Sequence, residues 1–71
     1  MKTVFITGAA HGIGLATAKR FAAQGWFVGL YDINEEGLDS LLGTGEFPNA
    51  CGQYCDVTQR ESIEAALQHF S

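Results

Sequence analysis

Three glycines, Gly8, Gly12 and Gly14, stand between a short apolar run and a stretch with helical periodicity. Val4-Phe5-Ile6, inside Thr3 to Thr7, reads as a strand with apolar side chains on both faces. From Ile13 to Gln24 the residues Gly14, Ala18, Phe21 and Ala22 form one stripe, while Lys19, Arg20 and Gln24 point elsewhere. The segment Gly8 to Gly14 is therefore a turn from a strand into a helix. Glycine makes up nine of the 71 residues, so placement carries the weight and number does not. Gly8 permits a tight exit from the strand, Gly12 lets an anion approach the backbone, and Gly14 lets the helix lie close to the strand. A helix N-terminus at such a turn offers unpaired N–H groups and the positive end of its dipole.

The strand–helix alternation continues along the chain. Gly25 follows the first helix as its C′ residue. Trp26 to Tyr31 is a second apolar run, ended by Asp32. Asn34 caps a second helix whose first turn carries Glu35 and Glu36, and Leu38, Leu41 and Leu42 form its stripe. Gly43 to Pro48 is a loop by composition. Ala50 to Cys55 is a third strand, interrupted by Gly52. Thr58-Gln59-Arg60-Glu61 has the pattern of a capping box. The helix it would open carries Ile63, Ala66, Leu67 and Phe70 on one stripe. The prediction is an α/β unit, βαβαβα, with three parallel strands ordered third, second, first and right-handed crossovers placing helices on both faces. The first strand would be an exposed apolar edge, so the isolated chain is expected to self-associate.

Asp32 follows Gly14 by 18 residues and ends the second strand, which lies beside the first turn in such a sheet. A carboxylate there can accept from both hydroxyls of an adenosine ribose. A 2′-phosphate would meet a like charge, with no Arg or Lys nearby to offset it, so NAD is expected over NADP. The alternative is a plain turn and a solvated strand end. His11 either meets a cofactor phosphate or ribose, or is an exposed loop residue. His69, near the end of the last helix, suits the helix dipole.

The formal net charge is −4, and the four basic residues, Lys2, Lys19, Arg20 and Arg60, are scattered, so no stripe for a nucleic-acid backbone is expected. No apolar run is long enough for a bilayer, and the first residues lead into a strand and not into a signal peptide, so a cytoplasmic location is expected. Cys51 and Cys55 share one strand face roughly 13 Å apart, too far for a disulfide, and are expected as free thiols. With only two histidines in the chain, no metal site is expected.

Thr7-Gly8-Ala9-Ala10-His11-Gly12-Ile13-Gly14 resembles the Thr-Gly-x-x-x-Gly-x-Gly signature of the short-chain dehydrogenase/reductase family. Tyr31-Asp32 resembles the NAD-selecting end of that family's second strand, and Cys55-Asp56-Val57-Thr58 its Asp-Val segment after the third. The resemblance implies a Rossmann-type sheet, here the first half of a doubly wound, three-layer arrangement. It implies a dinucleotide held by Gly8, His11, Gly12, Ile13, Gly14 and Asp32. Asp56 would accept from the adenine amine while the Val57 backbone meets the ring edge. Without the resemblance, Asp56 reads as a second cap beside Thr58. The family's Asn-Asn-Ala-Gly turn, catalytic Ser and Tyr-x-x-x-Lys pair have no counterpart in these residues, since Glu35 and Thr58 stand four positions after Tyr31 and Tyr54. Residues 1–71 are therefore expected to be a partial NAD(P)-binding domain, truncated before the fourth strand and without catalytic residues. The intact form would be an oxidoreductase moving a hydride between NAD and an alcohol or carbonyl, and a homo-oligomer. The other readings are a non-catalytic NAD- or adenosine-binding module and a decayed accessory chain.

Overall fold

Two parallel ladders share one strand. In this computed structural model, which describes residues 2–71, β1 (Thr3–Thr7) pairs with β2 (Phe27–Asp32), and β2 pairs with β3 (Ala50–Tyr54). The strand order is β1-β2-β3, the predicted order, with β2 central. The register sets Thr7 opposite Tyr31 and Asp32 opposite Tyr54, so all three strands end at the same side of the sheet. The turns that follow them converge there. That side is where open α/β sheets hold ligands.

Alternation along the strands sends side chains to two different cores. Ile6, Val28 and Leu30 meet Ala18 of α1 (Gly12–Ala23) and Leu38 of α2 (Glu35–Gly43). Phe5 and Tyr31 face the other way, against Ile63, Ala66 and Phe70 of α3 (Arg60–Phe70). Two helices therefore cover one face and one helix covers the other. Gly29 makes room for α3, because a Cβ there would stand 2.6 Å from the Phe70 ring. Tyr31 fills that face, stacked on Phe5 with ring centroids 4.4 Å apart.

α1 ends as the sequence predicts, with Gly25 at φ +82 as its C′ residue. The Gly25 N–H donates to the Ala22 carbonyl and the Trp26 N–H to the Phe21 carbonyl, both at 3.1 Å. That bond pair is a Schellman motif, and its usual apolar contact is the Phe21–Trp26 ring pair at 4.7 Å. Trp26 thus belongs to the turn, and β2 begins one residue later than predicted. α2 opens on Asn34, whose side-chain oxygen accepts from the Gly37 N–H at 3.0 Å.

α3 departs from the reading. Thr58 does not cap it; its hydroxyl donates to Asp56 Oδ1 at 2.6 Å and is spent on that turn. The chain stays extended at Gln59, which becomes the N-cap without a side-chain bond, and the helix starts at Arg60. Leu67, predicted on the buried stripe, is 50 % exposed. Phe47, inside the loop assigned by composition, is buried in the core shared by α1 and α2.

Two long-range contacts of the Tyr31 hydroxyl have no local sequence signal. It lies 2.9 Å from His69 Nδ1 and 3.6 Å from Cys51 Sγ, tying the end of α3 to the sheet. Cys51 and Cys55 are free thiols on this face, the first half-buried and the second buried. Tyr31→Phe should lower stability by roughly 0.5–1.5 kcal/mol, the net worth of a lost hydrogen bond, while Tyr31→Ala should lose about 3–5 kcal/mol. Urea unfolding of the two variants checks this, and equal losses would show that the hydroxyl contacts, and not the ring, hold α3.

Candidate functional site

The end of β2 holds the turns on either side of it. The Tyr31 carbonyl accepts from the Ala9 N–H at 3.2 Å, which extends the β1–β2 ladder into the glycine turn. The Asp32 carbonyl accepts from the Cys55 N–H at 2.9 Å, which does the same for the turn after β3. The Asp32 side chain adds two further bonds. Oδ2 accepts from the Ala10 N–H at 3.0 Å, and Oδ1 accepts from the Asn34 N–H at 2.9 Å.

Asp32 is therefore not a solvated strand end; it is only 4 % exposed. Burial pushes its carboxyl up, but the Asn34 and Ala10 N–H groups, the nearby His11 and the Ile33 N–H together hold it below the usual carboxylate range. His11 Nδ1 lies 3.3 Å from Asp32 Oδ2, and its side chain is 74 % exposed. His11 is exposed, and its ring lies beside the carboxylate.

The glycine turn has the backbone that its residues suggest. Gly8 and Gly12 take φ of +65 and +59, a region that L side chains rarely adopt. Gly14 is a close approach: a Cβ on it would overlap the Gly8 carbonyl oxygen and stand 2.6 Å from the Gly8 carbonyl carbon. Ala9 is fully buried beneath the turn. His11 is the N-cap of α1 in extended conformation, its side chain makes no capping bond, and the first turn carries no acid. The N-terminal N–H groups of α1 are thus left to an outside acceptor.

Three exposed apolar side chains stand at this same side: Ile13 at 87 %, Ile33 at 60 % and Val57 at 55 %. Asp56 has its carboxyl below the usual range through the Thr58 hydroxyl and then the Thr58 N–H, and its own N–H donates to Ser62 Oγ at 2.8 Å. The structure brings Gly8, His11, Gly12, Ile13, Gly14 and Asp32 together on the first turn, and sets Asp56 and Val57 on the turn after β3. Sequence reasoning missed Ile33 and Gly37. An apolar residue directly after a strand-ending Asp is a signal for the first. A glycine in a helix's first turn is one for the second, since it is unfavourable there without a packing reason. A Cβ on Gly37 would stand 3.1 Å from Ala10 Cβ, so Gly37 lets α2 lie against the glycine turn.

Among the described residues, no three His, Cys, Asp or Glu side chains converge as metal ligands, and no helix is long and apolar enough to cross a membrane. An open cleft lined by Glu35, Leu38, Asp39, Gly52, Gln53 and Tyr54 lies between α2 and the β3 edge, away from the glycine turn. Tyr54 lines that cleft and is exposed.

A model of the short chain dehydrogenase family matches residues 2–71. The 3-oxoacyl-[acyl-carrier-protein] reductase FabG of Thermotoga maritima is 42% identical over 69 residues, covering 94% of this chain and 28% of that protein. Among solved structures, the 3-ketoacyl-(acyl-carrier-protein) reductase from Brucella melitensis complexed with NADH superposes with a TM-score of 0.87 at 31% identity, covering 96% of this chain and 28% of that one. An actinorhodin polyketide ketoreductase with NADPH gives 0.85 at 35% identity, covering 96% and 27%. The chain spans 10% to 28% of the length of the curated relatives compared with it.

The sign of the Asp32 contribution can be tested by acid. A carboxyl held below its unfolded value of about 3.9 stabilises the fold fully above that pH, and the contribution is lost as pH falls through the lower folded value. The stability of the chain in urea should therefore begin to drop as pH falls below about 5 and go on dropping through the lower folded value. Asp32→Asn should be less stable at pH 7 and show a visibly shallower drop. An unchanged acid dependence in the variant would mean that Asp32 is not held ionised by its neighbours.

Proposed function

The chain belongs to the short-chain dehydrogenase family, and from that premise we propose that these 71 residues are its NAD-binding portion. One observation carries the reading. A glycine turn leads into a helix whose N-terminus has no capping side chain, and a carboxylate at the end of the central strand lies against that turn. A pyrophosphate fits the first feature, because Gly12 and Gly14 bring no Cβ between it and the backbone N–H groups. An adenosine ribose fits the second. The Asp32 oxygens hold the Ala10 and Asn34 N–H groups, His11 lies beside Oδ2, and the carboxylate has lone pairs left over to accept from a ribose hydroxyl. Ile13, Ile33 and Val57 offer apolar surface to the adenine, and Asp56 can accept from its amine.

The same carboxylate favours NAD over NADP, because a 2′-phosphate would be set beside a charge held ionised by its neighbours. When bound, the dinucleotide supplies the hydride chemistry. In the intact protein that chemistry would link NAD to an alcohol or carbonyl substrate. These residues would bind and orient the cofactor without exchanging the substrate proton. The Tyr31 phenol is pushed well above its usual range by burial, by the Cys51 hydrogen bond and by the two nearby thiols, which suits a core residue and not a proton donor. Tyr54 has no lysine four residues on. The chain alone is accordingly read as catalytically inert.

Titration of the chain with NADH, followed by nicotinamide fluorescence, should give saturable binding. NADPH should bind at least about tenfold more weakly, the effect of roughly 1.4 kcal/mol of charge repulsion. Asp32→Asn keeps an acceptor for the ribose but removes the charge, and should narrow that gap. No saturable response at millimolar NADH would overturn the binding reading. Equal affinities for the two cofactors would overturn the preference alone.

A further inference from the structure

The turn after β3 is fastened to α3 at Ser62. The Cys55 N–H still bonds back to β2, through the Asp32 carbonyl. The next N–H, that of Asp56, turns to α3 instead and donates to Ser62 Oγ at 2.8 Å. The buried Cys55 thiol donates to the Ser62 carbonyl at 3.8 Å. Two consecutive residues of the turn therefore hold the same serine. Ser62 is the third residue of α3, where a hydroxyl often serves the helix's own free amides. Here Gln59 caps α3 without a side-chain bond, and the Ser62 hydroxyl is spent on Asp56.

We propose, on the reading above that Asp56 accepts from the adenine amine, that Ser62 is a positioning residue for the adenine end of the cofactor. Its hydroxyl fixes the Asp56 main chain against α3 and so sets where the Asp56 carboxylate stands. Ser62 itself touches no part of the dinucleotide. It acts through Asp56, and its effect is confined to the part of the cofactor that Asp56 meets.

The other bonds of Asp56 leave that task to Ser62. The Asp56 carbonyl accepts from the Gln59 N–H at 2.9 Å. Oδ1 accepts from the Thr58 N–H at 2.9 Å and from the Thr58 hydroxyl at 2.6 Å. These bonds stay within residues 56–59 and shape the turn from inside. The Ser62 bond ties the first residue of the turn to the helix beyond it. Both Thr58 bonds fall on Oδ1, and among the described residues none donates to Oδ2. That oxygen is left for an outside donor, and an exocyclic amine is one.

The test compares NADH with deamino-NADH, in which a carbonyl replaces the adenine amine. That carbonyl sets an acceptor against the Asp56 carboxylate, so the wild type should bind the analogue several-fold more weakly than NADH. Dissociation constants are read by nicotinamide fluorescence for the wild type, Ser62→Ala and Ser62→Thr. Ser62→Ala leaves the Asp56 N–H without its acceptor and frees the carboxylate to drift. NADH should then bind about two- to tenfold more weakly, the worth of one hydrogen bond. The analogue should lose little, because it makes no bond to Asp56. The ratio of the two constants should therefore fall towards unity. Any loss of folded protein raises both constants alike and cancels in the ratio. Ser62→Thr keeps the hydroxyl and should keep the wild-type ratio. An unchanged ratio in Ser62→Ala, or a Ser62→Thr ratio equal to that of Ser62→Ala, would overturn the proposal. A wild type that binds NADH and deamino-NADH equally would overturn the Asp56 reading and the proposal with it. Failure of the wild type to bind either would overturn the dinucleotide reading beneath both.

Discussion

The carboxylate of Asp32 is buried where a bare charge would be costly, and two backbone N–H groups and a histidine ring surround it. Removing a carboxylate from water costs several kcal/mol. Hydrogen bonds to a charged acceptor return roughly 1.5–3 kcal/mol each. The balance falls on the side of the ionised form, so the carboxyl sits below its usual range and not above it. The consequence is geometric. Ala10 belongs to the glycine turn and Asn34 caps α2, so one side chain fixes the turn after β1 to the start of the second helix.

The main chain of β2 completes that clamp. Its last two carbonyls receive the N–H groups of Ala9 and Cys55, one from each flanking turn. Consecutive residues of the central strand then serve opposite faces. Asp32 works at the α1 and α2 side, while Tyr31 reaches across the other face to His69 near the end of α3. A ligand that pressed on the glycine turn would therefore act on β2, and through it on α2 and the turn after β3. Shape and charge at the site follow from the end of one strand.

Much of this could be read along the chain, and the residues say why. Gly8, Gly12 and Gly14 carry their roles in their spacing, because the turn between β1 and α1 is a local feature. Gly25 and Asn34 are helix-end residues whose hydrogen bonds stay within a few positions, and both act as expected. The misses are tertiary or competitive. Thr58 had two partners open to it, the backbone of its own helix and the Asp56 carboxylate, and the carboxylate took it. Tyr31 and His69 are 38 positions apart, and no periodicity links them. The position of Asp32 was legible, but its burial was not, since its partner Ala10 lies 22 positions away in the chain. The sequence allows His11 two roles. Only its distance to Asp32 separates it from an ordinary exposed loop residue.

The claim on which the rest depends is that Asp32 is ionised and bonded to the Ala10 and Asn34 amides. An NMR titration that follows those two amide protons with pH tests it directly. Both resonances should move together, with one midpoint below the ordinary aspartate value of about 3.9. A midpoint at or above that value, or amides that do not respond to the carboxyl, would contradict the clamp and the site built on it.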